Sequence, residues 1–185
     1  LSEDYGTTWR RIPFNNGSAI TAVALAPEKE EQILVGTSFA GFYETMNAGR
    51  NWTKLSGNLS FLQQPPYEEE IAALAYHPEN PDKLFIACGF GNGLYLYNKA
   101  LNIWEELETA DPGRRVVKNL FFQREQLLGE GESSLSSSWR LQITYDNGKE
   151  AYSWPAFELV SSVSVPFSPE VDRAKVERRS LATDK

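Results

Sequence analysis

Glycoside hydrolysis needs two positioned carboxylates. The chain carries 25 Asp and Glu residues, but no motif singles out a pair. The acidic run Glu68, Glu69 and Glu70 reads as the solvated end of a loop. His77, the only histidine, stands in a His-Pro step whose counterpart elsewhere is Ala26-Pro27. That points to a structural role rather than to a base or a ligand. Cys88, the only cysteine, lies inside an apolar run. It can build neither a disulfide framework nor a cysteine-based metal site within one chain, and it reads as a buried thiol. No Ser/His/Asp set, phosphate-cradling loop or zinc spacing occurs, so neither a cofactor nor a metal is expected. Recognition is the remaining chemistry. Phe39, Phe61, Tyr67 and Phe90 offer faces that stack on sugars or grip a peptide. Asn92, Arg114 and Arg115 add polar groups, and the arginine fork suits a carboxylate. Phe39 and Phe90 occupy equivalent positions, so they either ring a shared mouth or plug the inner ends of two sheets.

These residues fall between short apolar or alternating runs separated by Gly, Pro, Asn and Asp, the pattern of antiparallel strands. The runs repeat. Residues 20–27 align with residues 71–78, residues 116–122 follow the same plan more loosely, and residues 160–165 are a fourth match. A second run follows the first three, at 33–36, 84–89 and 127–129. A third run, at 41–44, 93–96 and 140–143, leads into a turn-forming string. The string is clearest at the start of the chain, as S-x-D-x-G-x-T-W with Ser2, Asp4, Gly6, Thr8 and Trp9. Asp4 can accept from nearby backbone N–H groups, and Gly6 can take the positive φ of a tight turn. The second copy has Thr45, Asn47, Gly49 and Trp52. A third ends at Trp104, with Tyr97 and Lys99 at the Ser and Asp positions. A fourth has Thr144, Asp146 and Gly148, but Ala151 in place of the Trp. Their first residues, 2, 45, 97 and 144, are 43, 52 and 47 apart, close to the roughly 40–50 residues of a propeller blade.

The string resembles the Asp-box, or bacterial neuraminidase repeat, of β-propeller proteins. The resemblance implies an all-β chain of four-stranded antiparallel blades, each running strand A, strand B, strand C, Asp-box turn, strand D. Residues 1–167 then hold about three complete blades plus partial blades at both ends, part of a larger propeller or one completed by another chain. Residues 168–185 are dense in charge and read as a linker or tail. The box residues are expected to be structural. In such propellers the box turns lie on one face, and ligands gather on the opposite one, built from the B–C and D–A loops. That places Phe39, Phe90 and Asn92 (B–C loops) and Phe61, Tyr67, Arg114 and Arg115 (D–A loops) on the binding face. Similar repeats occur in sortilin-type receptor propellers, photosystem assembly factors and sialidases. Sialidases use three clustered arginines, a Tyr/Glu nucleophile and an acid/base Asp. Arg10-Arg11-Ile12-Pro13 contains their Arg-Ile-Pro motif, but it follows a box Trp, whereas theirs precedes the first box. Arg114 and Arg115 are better placed, yet two neighbours on one loop do not make a three-blade cluster.

The net charge of −7 and the pI near 4.9 argue against nucleic acid and anionic membranes as partners. No apolar run of 18 residues occurs, so no membrane insertion is expected. The expected function is that of a non-catalytic interaction module for a protein or glycan ligand. The alternative is an accessory or catalytic fragment of a secreted glycoside hydrolase. The resemblance implies an extracytoplasmic location, whether periplasmic, cell-surface or secreted.

Overall fold

The computed structural model describes residues 1–2, 4–55, 70–89, 93–109, 116–128, 135–146, 148–154 and 156–164. Among them the chain is all-β, with three four-stranded antiparallel sheets and no α-helix. The first sheet holds β1 (Ile20–Ala26), β2 (Lys29–Thr37), β3 (Phe42–Thr45) and β4 (Thr53–Lys54). The second holds β5 (Ile71–His77), β6 (Asn80–Cys88), β7 (Leu94–Asn98) and β8 (Ile103–Glu106). The third holds β9 (Val117–Leu128), β10 (Leu135–Tyr145), β11 (Gly148–Trp154) and β12 (Leu159–Ser164). Each is a meander whose spatial order follows the chain.

The first two sheets are copies of one unit at the level of single backbone bonds. Ser38 N–H donates to Ala19 and Gly89 N–H to Glu70. Ala48 donates to Glu31 and Lys99 to Asp82. Leu55 donates to Phe42 and Leu107 to Leu94. The repeat read from residues 20–27 and 71–78 is therefore a repeat of register as well as of composition.

The sheets stack through apolar side chains. Ala26, Leu34 and Phe42 of the first sheet pack on Ile71, Leu74, Tyr76, Leu84 and Ile86 of the second. The other face of the second sheet, with Ala73, Ala75, Phe85 and Ala87, packs on Leu120, Leu141, Ile143 and Tyr152 of the third. Side chains alternate between the two faces along each strand, and an irregularity between Ile71 and Ala73 brings Ile71 onto the same face as Leu74 and Tyr76. Cys88 lies in the first interface, where burial pushes its thiol up to about 12.

Two turns share one hydrogen-bond scheme. In the first, the Ser2 hydroxyl donates to Asp4 Oδ1 at 2.8 Å and accepts from Gly6 N–H at 2.7 Å. Thr8 N–H donates to Asp4 Oδ1 at 2.8 Å. In the second, the Thr45 hydroxyl donates to Asn47 Oδ1 at 3.0 Å and accepts from Gly49 N–H at 2.9 Å. Asn51 N–H donates to Asn47 Oδ1 at 2.9 Å. In both, a left-handed residue, Tyr5 or Ala48, precedes a positive-φ glycine. Asp4 adds a bond from the Thr8 hydroxyl at 2.6 Å. The two Thr8 bonds, with the Ser2 hydroxyl, hold its carboxyl down at about 2. The third copy keeps the hairpin, with Trp104 paired and stacked on Tyr97 at 4.3 Å. It is held differently, by Asn98 Oδ1 accepting from Leu101 N–H.

The fourth copy is corrected by the structure. Tyr145 pairs with Gly148, so the string around Thr144, Asp146 and Gly148 is a tight reversal between the second and third strands of its sheet. The boxes, by contrast, precede a fourth strand. The strand boundaries shift with it. Residues 117–128 form one continuous strand where two runs were read, and residues 159–164 close the third sheet instead of opening another. The polar interlude Gln123-Arg124-Glu125 looked like a break. It is strand because Gln123 and Glu125 stand on the face turned away from the second sheet, where Gln142 and Arg140 meet them. Residues 165–185, including the charged tail, lie outside the described residues.

Gly49 has φ +85°, and a Cβ there would lie 1.9 Å from Ile12 Cγ2. Gly17 has φ +79° with open space around it. Gly17→Ala should therefore cost only the left-handed penalty, about 1 kcal/mol. Gly49→Ala should cost at least about 2 kcal/mol, because the residues 12–14 that pack beside it must shift as well. Urea midpoints of the two variants compare these costs directly.

Candidate functional site

The loop that joins β2 to β3 lies at the end of the first sheet opposite the turn at residues 45–52. Phe39 sits there in the β2–β3 loop and is 68% exposed. The loop beneath it is tightly bonded. Phe39 N–H donates to the Ser18 hydroxyl at 3.0 Å, and Ser18 and Ser38 share a hydrogen bond at 3.1 Å. Thr37 Oγ1 accepts from Ala40 N–H at 2.9 Å and donates to the Gly41 carbonyl at 2.7 Å. Ser18 N–H in turn donates to Asn16 Oδ1. The backbone is committed and the ring projects into solvent, an arrangement that favours contact with a partner at small entropic cost. Of the two readings open for Phe39, the structure gives the exposed one; the ring does not plug its sheet.

Glu70 lies at the same end. Gly89 N–H donates to its carbonyl, and a Cβ at Gly89 would lie 2.5 Å from its Cδ. Its carboxyl is raised above the usual range by partial burial, with Lys118 pulling the other way. Glu70 is half-buried rather than a fully solvated loop end. The signal was its place directly before the apolar run of β5. Phe61, Tyr67, Phe90, Asn92, Arg114 and Arg115 lie outside the described residues.

At the opposite end, the β1–β2 and β5–β6 turns enclose a cleft of about 410 Å³ lined by Pro27, Glu28, Lys29, Pro78, Glu79 and Pro81. Behind it sits a charged network that sequence reasoning missed. Glu44 Oε1 accepts from Gln32 Nε2 at 2.8 Å, from the Tyr76 hydroxyl at 2.8 Å and from Lys99 Nζ at 2.6 Å. Glu44 lies two residues after Phe42, on the same inward face, and that parity was the available signal. A second network joins the Tyr145 and Tyr152 hydroxyls, both donating to Glu150 Oε2, at 2.9 and 2.7 Å. A sialidase-type nucleophile is a Tyr/Glu pair, and these networks contain that pairing. Glu44, Tyr76, Glu150 and Tyr152 are all at most 7% exposed. Burial, with the neighbouring Glu, raises the Tyr76 and Tyr145 phenols, which is the wrong direction for a nucleophile. Arg10 and Arg11 are exposed on the segment leaving the first box turn, and Arg10 exchanges two backbone bonds with Leu1.

His77 is enclosed by Phe122 and Trp154, with ring centroids at 5.9 and 5.3 Å. Its Nδ1 accepts from Glu79 N–H at 3.0 Å. Among the described residues, no cluster of three or more His, Cys, Asp or Glu is arranged to hold a metal ion.

These features define an all-β repeat module with Phe39 exposed at its loop end and a turn end braced by buried charge. Comparison with protein-family models and with curated protein sequences finds no match. Among solved structures, one of PorZ resembles the chain, with a TM-score of 0.44 at 13% identity over 72% of this chain. PorZ is described as an essential bacterial surface component of the type-IX secretion system of Porphyromonas gingivalis. The match covers 25% of that protein, so this chain spans a minor part of its length. A likeness at this level carries no functional information.

Burial, and after it the charge of Lys83, depresses the His77 pKa, while Glu79 works the other way. The neutral ring is thus favoured in the fold. Its stabilising contribution is complete above the ordinary value near 6.5 and declines as pH falls through the folded value. Urea midpoints should therefore drop between pH 7.5 and 5.5 with a slope no steeper than one proton. Glu70, raised, contributes with the opposite sign from about pH 4.5 upward. His77→Gln should flatten the slope and so isolate the histidine.

Proposed function

We propose that the chain is a stretch of Asp-box β-propeller that serves as a non-catalytic interaction module, holding a protein or glycan ligand at the Phe39 end. Three consecutive four-stranded meanders stacked face to face support the propeller reading. So does the shared hydrogen-bond scheme of the turns at residues 2–9 and 45–52. The observation that carries the interaction reading is the contrast between the two ends. Phe39 is held out on a fully bonded loop, while Glu44, Glu150, Tyr76, Tyr152 and His77 are spent on joining strands and sheets. An extracytoplasmic location goes with the same repeat style.

Two assays test this. A glycan array with the intact chain should give ligands whose binding falls tenfold or more in Phe39→Ala, about 1.4 kcal/mol, with the melting temperature unchanged. Fluorogenic sialosides and other glycosides should not turn over. Robust turnover would sink the non-catalytic reading in favour of a glycoside hydrolase fragment. Unfolding of Phe39→Ala would show that the ring is structural.

A further inference from the structure

The Asn16-Gly17 step lies in the segment that anchors the Phe39 loop, and its atoms are arranged for a reaction of their own. Asn16 Oδ1 accepts from Ser18 N–H at 3.0 Å, a turn that folds the side-chain carbonyl back over the following peptide. Asn16 Nδ2 is buried and meets no acceptor among the described residues, a costly state for an amide donor. Gly17 N–H is also without a hydrogen-bond partner among the described residues. Gly17 is exposed, has φ +79°, and a Cβ built on it would meet nothing within 4 Å. Neither a side chain of its own nor packing around it keeps the Gly17 nitrogen from Asn16 Cγ. Asn80 supplies the contrast. Its Oδ1 accepts from Asp82 N–H in the same way, also at 3.0 Å. The residue after it is Pro81, whose nitrogen carries no hydrogen and cannot close a ring.

The chemistry open to these groups is succinimide formation. Hydroxide takes the Gly17 amide proton, and the nitrogen attacks Asn16 Cγ to form a new C–N bond. The carbonyl electron pair moves onto Oδ1, where Ser18 N–H already stands to stabilise the developing charge. The pair then returns, the bond from Cγ to Nδ2 breaks, and ammonia leaves with a proton taken from water, which regenerates hydroxide. A second water opens the five-membered imide. Attack at the former side-chain carbonyl gives aspartate; attack at the former main-chain carbonyl gives isoaspartate. Nothing is oxidised or reduced, and water and hydroxide are the co-reactants.

We propose that Asn16-Gly17 is a spontaneous modification site of the folded chain, and that its isoaspartyl product loosens the loop that carries Phe39. Isoaspartate adds one methylene to the main chain. The segment is pinned on both sides of that insertion. Phe14 packs edge to face on Tyr43 and Trp52, with centroids at 5.3 and 5.0 Å, and the Ala19 carbonyl accepts from Ser38 N–H at 3.0 Å. The added length is taken up between them, where the Ser18 hydroxyl accepts from Phe39 N–H at 3.0 Å and meets the Ser38 hydroxyl at 3.1 Å. The reaction and the loosening are independent of any ligand; their effect on recognition rests on the reading of Phe39 as a contact residue.

Ageing at mildly alkaline pH tests it. The folded 185-residue chain and a synthetic peptide of residues 12–29, which is also the tryptic segment around Asn16, are followed by fragment-resolved mass spectrometry for the gain of amide-to-acid exchange. An isoaspartyl methyltransferase assay identifies the linkage. Asn16 should convert in the folded chain at a rate within about tenfold of the peptide's, mainly to isoaspartate, while Asn80 keeps its amide. Asn16→Gln, which would have to close a six-membered ring, should stay intact. Hydrogen exchange at Phe39 N–H should quicken at least about tenfold in the isoaspartyl fraction. Conversion in the folded chain more than about tenfold slower than in the peptide, or conversion at Asn15 instead, would overturn the site. Conversion to aspartate alone, or isoaspartate with unchanged exchange at Phe39, would overturn the loosening. A glycan array without ligands, which would count against the Phe39 reading, leaves the mass and exchange results where they are.

Discussion

A sheet that is apolar on both faces must be covered on both, and the second sheet is such a sheet. Ile71, Leu84 and Ile86 point one way and Phe85 and Ala87 the other, all at 0% exposure. Fully burying side chains of this size is worth about 1.5–3 kcal/mol each, so the second sheet cannot stand alone and draws a neighbour onto each side. The fold follows from this requirement. Short meanders leave both faces of the middle sheet open, and the first and third sheets close them. Alanines at 22, 24, 26, 73, 75 and 87 keep the inner strands close, while Phe85, Phe122 and Trp154 fill the wider outer space edge to face at 5.0–6.4 Å.

Apolar stacking alone is indifferent to sliding, and buried charge supplies direction. A carboxylate taken out of water is costly unless it is fully bonded. Glu44 of the first sheet meets that condition only by reaching Tyr76 and Lys99 of the second. One register satisfies all its partners. Breaking the pair would leave an uncompensated charge, so the network defines how the sheets align more than it adds to their cohesion. Glu150 acts differently: both its tyrosines lie in its own sheet, so it fixes the β10–β11 hairpin.

Much of this was legible in the sequence, for a physical reason. Where both faces of a strand are buried, as in residues 71–77, composition and register are constrained together, and residues 20–27 keep the same composition and register although their Ile20, Val23 and Leu25 face is exposed. The box turns were legible because their bonds are local: Ser2 with Asp4 and Gly6, Thr45 with Asn47 and Gly49. The third sheet was misphased because one of its faces meets water. A half-solvated strand such as β9 admits Gln123 and Glu125, and these read as a break. The string from Thr144 to Gly148 has box-like composition, yet Tyr145 pairs with Gly148 between the second and third strands of its sheet. Composition alone does not say which hairpin a turn closes. Glu44 and Glu150 were missed because a buried acid differs from an exposed one only by its partners, and those lie 12 to 55 residues away for Glu44. Phe39 was found, but its exposure was not decidable. A loop aromatic can plug or project, and the choice depends on whether Ser18, from another loop, anchors its backbone.

The division between local and long-range bonding bears on where function can reside. The box turns stabilise themselves within eight residues, and the Glu44 network braces the same end from behind. That end is therefore committed to architecture. The Phe39 end takes its order from bonds between loops, Ser18 to Ser38 and to Phe39 N–H, and from one within its own loop, Thr37 to Gly41. Such bonds survive changes of the projecting residue, because they engage backbone and hydroxyl groups and leave the ring free. A scaffold that fixes one end by self-contained turns and leaves the other to exchangeable side chains can alter what it recognises without altering how it folds.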